Sequence, residues 1–160
     1  MDALPDGWPR ISSTLYYQDP KTAIAWLCSA FGFEVRLVVE TAEGKIAHSE
    51  LVFGDGVIMV GTAGVRGHDQ SPRSTGGNTQ SLMMYVDDVD AHCRQARAHG
   101  ARIATEPQIS DYGEEYWTDR SYGAFDCEGH EWWFTQRVKT GNPAWSRVRN
   151  RRDLSHKDKA

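Results

Sequence analysis

Apolar and polar positions along the chain change period several times, and each change marks an element. Residues 10–17, "RISSTLYY", alternate and are rich in Thr, Tyr and Ile, which predicts a strand. Asp19 then stands as an N-cap before Pro20 at the first helical position. Ala23, Trp26, Leu27 and Ala30 recur at helical spacing, and Gly32 ends the run. "FEVRLVVET", "IAHSELVF" and "GVIMVGT" read as three further strands, with turns at Ala42-Glu43-Gly44 and Gly54-Asp55. Residues 64–79 hold four glycines, a proline and few apolar side chains, and read as a linker or exposed loop.

The pattern then restarts. "QSLMMYVDDVD" predicts a strand entering a helix, "VDAHCRQARAHGA" is that helix, and Gly100 stops it. "RIATEPQISDYG" is strand-like but interrupted by Pro107, and "RSYGAFDC" with "HEWWFTQ" predicts a closing hairpin. Residues 15–21 and 84–90 align at an offset of 69, so the second half is a second β-α-β-β-β copy. The expected organisation is one domain over 1–136, with module one at 10–63, a linker at 64–79 and module two at 80–136. Residues 137–160 are expected to form a basic, mobile tail.

Charge sharpens that division. Residues 1–136 hold 10 Lys/Arg and 20 Asp/Glu, a balance of −10. The last 24 residues hold 8 and 2, a balance of +6, which together make the net −4. An acidic body argues against nucleic acid on the fold and favours a neutral or cationic small ligand. No apolar run reaches the ~18 residues a membrane span needs, and no signal peptide is evident. Three cysteines without a CxxC motif (Cys28, Cys93 and Cys127) predict free, buried thiols and a cytoplasmic setting. His92 and His99, seven apart on one helix, are expected on its solvated face.

Three stretches in order, "YYQDPKTAIAWLCSAFGFEV", "HSELVFGDGVIMVG" and "YVDDVDAHCRQARAHGARI…YGAFDCEGHEWWF", resemble the vicinal oxygen chelate superfamily. That superfamily holds glyoxalase I, the bleomycin-resistance proteins and the extradiol dioxygenases. Many relatives read Asp-Pro-x-Gly-His-x-Trp in the last stretch, where this chain has Cys127 for the proline. The resemblance implies an α+β fold, with two βαβββ modules whose sheets curl around a shared cavity and helices outside. It also implies a homodimer. Metal enzymes of the superfamily carry His and Glu at four positions, which fall here on Ser12, Met59, Ser81 and Trp133. None is a good divalent ligand, so no metal or other cofactor is expected.

Strand alternation, anchored on those positions, turns Tyr16, His48, Glu50 and Met59 of module one toward the cavity. From module two it turns Met83, Tyr85, Tyr122, Glu131 and Trp133 inward. Tyr116 and Trp117 belong to an acidic, aromatic loop over the mouth, residues 111–123. His48 and Glu50, two apart on one strand face, are the candidate catalytic pair, a base with an orienting partner or simply a hydrogen-bonded pair. Three functions remain open at this point. One is metal-free binding of a planar neutral or cationic small molecule. Another is a lyase, isomerase or dioxygenase of the glyoxalase-related type using a non-standard site at His48 and Glu50. The third is a fold relative recruited for protein contacts, with the basic tail as handle.

Overall fold

The computed structural model describes residues 5–141. Strand β1 (Ser13–Tyr17) leads into helix α1 (Pro20–Phe31). Asp19 caps the helix by accepting from the Thr22 N–H at 3.1 Å, and Gly32 closes it at φ 78°, a conformation only glycine adopts without strain. Strands β2 (Glu34–Glu40), β3 (Ile46–Phe53) and β4 (Gly56–Thr62) complete module one, with order β1-β4-β3-β2. The short helix α2 (Pro72–Thr75) precedes module two: β5 (Ser81–Tyr85), α3 (Val89–Ala98), β6 (Arg102–Asp111), β7 (Trp117–Phe125) and β8 (Glu131–Thr140). Its order, β5-β8-β7-β6, repeats the first, and both modules pair their first and last strands in parallel. Thr14 faces Met59 in one sheet and Met83 faces Trp133 in the other, which matches the 69-residue offset between first strands.

Four expectations about strand and loop boundaries need correction. Pro107 does not break its strand. β6 is a sheet edge, and a register shift between Thr105 and Gln108 accommodates the missing N–H. Residues 111–123 are not a loop over a mouth, because Trp117 begins β7 and only Tyr112–Tyr116 turn, with the Tyr112 N–H donating to the Trp117 carbonyl at 3.0 Å. β8 continues through Arg137 to Thr140, paired with Trp117, Thr118 and Asp119, so these four residues belong to the sheet and not to the tail. The remaining tail, 142–160, lies outside the described residues. The 64–79 segment contains α2 and the buried Asp69 and Ser71, so it is docked.

Helices α1 and α3 each cover one face of their own module's sheet, and α1 also packs on α3. The two modules therefore share one core through their helices. Phe31 places its ring 5.5 Å from Trp132 and 4.7 Å from Phe134, and Phe33 lies 5.7 Å from Trp132. Burying each such side chain contributes roughly 1.5–3 kcal/mol. His92 joins this core, where its Nδ1 is 2.6 Å from the Tyr122 hydroxyl and its ring lies tilted against Phe134 at 4.4 Å. It is not on the solvated face; His99 is exposed as expected. Because the apolar side chains of both helix faces meet in the middle, the opposite sheet faces open to solvent, and the two sheets do not close on one intrachain cavity.

The "DCEGHEWW" turn clasps the modules. Asp126 Oδ1 accepts from the N–H groups of Glu128, Gly129 and His130. Its Oδ2 accepts from the Tyr17 hydroxyl at 2.6 Å and from Trp132 Nε1 at 3.0 Å. Glu128 accepts from the N–H groups of Gln18 and Asp19 and from Ser71 Oγ. Burial alone would raise the Glu128 carboxyl, but these donors, with Arg73 nearby, hold it below its usual value.

Candidate functional site

The face of module two away from α3 carries the aromatic candidates. Trp133 sits between Met83 on β5 and Gly123 on β7. A Cβ at Gly123 would meet the indole at 3.4 Å, so the glycine allows the ring to lie close over β7. Met83 and Tyr85 are about half exposed, at 57% and 51%. Beyond them, the Arg137 guanidinium lies 5.6 Å from the Tyr85 ring and 4.9 Å from the Trp117 ring. Its Nε donates to Asp119 at 2.5 Å and its Nη2 to the Tyr85 hydroxyl at 2.7 Å. Tyr112 and Tyr116 pack on Trp117 at 5.6 and 6.1 Å. Glu131 is on the same face, two residues before Trp133, at the opposite end of β8 from Arg137.

Tyr122 does not belong to this face. It pairs with Phe134 across β7 and β8, is fully buried, and stacks on that ring at 4.9 Å. Burial pushes its hydroxyl well up from the usual range. Placing Tyr122 and Trp133 on one face mis-set the β7–β8 register by one residue, and a one-residue slip exchanges faces.

Module one presents a polar counterpart. His48 Nε2 and Glu50 Oε1 are 2.9 Å apart, and Arg36 Nε donates to Glu50 Oε2 at 2.7 Å. Arg36 also donates to the Gly7 carbonyl at 2.5 Å and stands 4.8 Å over the Trp8 ring. The hydrogen bond with His48, partly offset by burial and reinforced by Arg36, holds the Glu50 carboxyl below its usual value. Glu50 is thus already matched by donors, and it does not share a space with Glu131, since each lies on its own module's open face. Tyr16 accepts a hydrogen bond at its hydroxyl from Arg66, whose guanidinium is 5.4 Å from the ring. Arg36, Arg66 and Arg137 were missed from sequence; extending alternation along β8 to 137 would have found the last.

The four superfamily metal positions offer two hydroxyls, a thioether and an indole. Ser12 Oγ is buried without a hydrogen-bond partner among the described residues. Among those residues no group of three or more His, Cys, Asp or Glu side chains is placed to hold a metal ion. The donor set does not fit a divalent cation. Cys28, Cys93 and Cys127 are free, and burial raises all three thiols, Cys127 to about 12.

A groove of about 780 Å³ runs between the unpaired edges of β1 and β5. Ile11, Ser12 and Ser13 line one side, Leu82 to Tyr85 the other, and Phe33, Phe53 and Trp132 the floor. Of the expected ligand residues only Met83 and Tyr85 reach it.

The duplicated βαβββ topology and this pair of open sheet faces define a vicinal oxygen chelate fold. The model of the Glyoxalase/Bleomycin resistance protein/Dioxygenase superfamily matches residues 10–134, and the chain belongs to that superfamily. Among solved structures, TioX from Micromonospora sp. ML1 is 34% identical, with 80% of this chain and 95% of that one covered at a TM-score of 0.61. TnmS3, an antibiotic binding protein from Streptomyces sp. CB03234, shares the fold at 15% identity, with 79% and 93% covered and a TM-score of 0.60. An uncharacterized protein of Mycobacterium tuberculosis strain H37Rv is 28% identical over 137 residues, 84% of this chain and 78% of the relative. No helix among the described residues is long and apolar enough to cross a membrane.

Proposed function

We propose that the chain is a metal-free binding protein for a flat aromatic small molecule, which stacks on Trp133 beside Met83 and Tyr85. The observation that carries this reading is the position of Trp133: an indole stands on the open face, over Gly123, where the superfamily's metal enzymes keep a carboxylate. A stacked aromatic pair contributes roughly 0.5–1.5 kcal/mol beyond the area it buries. The sequence-based preference for a neutral or cationic ligand rested on the acidic body and on carboxylates facing the cavity, and of these Glu50 is already paired with Arg36 and His48. TnmS3 illustrates that the scaffold can hold an antibiotic. Titration with planar aromatic compounds should shift the Trp133 indole N–H resonance and quench indole fluorescence. Unchanged affinity in Trp133→Ala would sink the site.

The reading includes a homodimer. Exposed Leu37 and Val39 on β2, Met83 and Tyr85 on β5, and the free edges beside the groove leave apolar surface and unpaired backbone that a second copy would cover. The cavity would then form between module one of one chain and module two of the other. Light scattering should give about twice 18.0 kDa; a monomer at micromolar concentration counts against it.

The 2.9 Å contact of His48 with Glu50, held in place by Arg36, favours a second reading, in which His48 acts as a general base for a glyoxalase-related lyase or isomerase. Turnover abolished by both His48→Ala and Glu50→Gln would establish it.

A further inference from the structure

We propose that Arg137 sets ligand specificity by donating to a hydrogen-bond acceptor, a carbonyl or carboxylate, next to the ligand's aromatic ring. This rests on the binding reading above and names the chemical class of its ligand. The guanidinium is held by two hydrogen bonds. Nε is tied to Asp119 and Nη2 to the Tyr85 hydroxyl, and the rings of Tyr85 and Trp117 lie 5.6 and 4.9 Å from the guanidinium. Its Nη1 has no hydrogen-bond partner among the described residues, and the side chain keeps 31% of its surface exposed. A planar fork with a spare donor, already held in one orientation, loses little freedom when it binds an acceptor.

The same grouping recurs in module one. Tyr16, 69 residues before Tyr85, has the Arg66 guanidinium on its ring and bonded to its hydroxyl, and Arg66 is held by Asp69. The two arginines do not occupy equivalent repeat positions. Arg66 lies beyond the end of β4, whereas Arg137 lies inside β8. The grouping therefore does not follow from sequence duplication, and its presence on both open faces points to a shared role.

Glu131, the acidic residue of β8 on this face, does not oppose an acceptor. Glu131 is six residues away on an extended strand, about 20 Å, which exceeds the Debye length of about 8 Å at physiological salt. Asp119 already offsets the guanidinium charge, so a neutral carbonyl suffices. A cation would instead approach Arg137 with like charge.

Three probes with one ring system and different head groups test this on the full-length chain: 2-naphthoate, 2-naphthamide and 2-naphthylmethylammonium. Binding is read from indole N–H shifts in two-dimensional NMR. We expect the carboxylate and the amide to bind at least threefold more tightly than the ammonium. Arg137→Gln should weaken the carboxylate about tenfold and leave the ammonium bound as tightly or more tightly. Arg137→Lys should restore part of the loss, which separates a lost donor from a disturbed strand. Equal affinity for all three probes, with Trp133→Ala weakening each, overturns the role of Arg137 and leaves the stacking site intact. No shift with any probe overturns both.

Discussion

From the face where module two carries Met83, Tyr85 and Trp133, module one presents His48, Glu50 and Arg36. The two sets lie on different strands of the repeated sheet: β5 and β8 hold the first, and β3 and β2, whose counterparts are β7 and β6, hold the second. On module one, charge is paired with charge and hydrogen bonds are already made within the chain. On module two, half-exposed apolar surface remains unmet. Paired polar groups in water offer little net free energy to a ligand, whereas unmet apolar area does. The duplication thus repeats the scaffold but assigns attachment to one half and a polar wall to the other.

The largest effect should come from two neighbouring tryptophans. Trp132 is fully buried between Phe33 and Phe134 and donates to Asp126, so Trp132→Ala should cost about 3–5 kcal/mol in urea denaturation. Trp133→Ala should leave the unfolding midpoint nearly in place and weaken ligand about tenfold, or ~1.4 kcal/mol. Equal stability losses in the two variants would mean that the face assignment fails.

Next is the clasp between modules. Tyr17→Phe removes a 2.6 Å hydrogen bond to the buried Asp126 carboxylate, worth about 1.5–3 kcal/mol. Calorimetry should show a single, lower transition. A loss confined to module one, seen by hydrogen exchange, would show that the modules unfold separately.

A pH effect follows from the shared core. Burial holds His92 and His130 below the usual histidine value. The unfolded chain then takes up these protons more readily, so stability is fully present above about pH 6.5 and declines as pH falls below it toward the depressed folded values. Thermal midpoints measured from pH 7.5 to 5 should fall, and His92→Gln should flatten part of that slope. A midpoint that rises on acidification would contradict the buried placement.

The smallest effect concerns the polar wall. His48→Ala should leave the affinity of an aromatic probe for module two unchanged within about twofold. In the proposed dimer this wall faces the ligand, but His48 is already hydrogen-bonded to Glu50, so a larger loss would mean that His48 touches the ligand directly.

Several features are legible in the sequence. The helix borne by Ala23, Leu27 and Ala30, its Asp19 cap, the Gly54-Asp55 turn and the second copy of the pattern follow from local propensity and periodicity, which depend on residues close in sequence. The alternation that puts Trp132 and Trp133 on opposite faces is local in the same sense. The placement of Tyr122 was not. It depends on the register between β7 and β8, set by side-chain packing across strands, and one residue of slip reverses the answer. Nor could the sequence show that Arg36 reaches Glu50 across neighbouring strands, or that Arg137 lies between Tyr85 and Trp117, 52 and 20 residues away. The length of β8 and the continuation of β6 past Pro107 were decided by pairing with β7, since an edge strand tolerates a proline that a central one does not. Above all, the sequence specified two modules but not which sides they turn to each other. Phe31, Phe33 and Trp132 decided that, because burying large apolar rings between the helix faces is worth more than closing the sheets around an empty space within one chain.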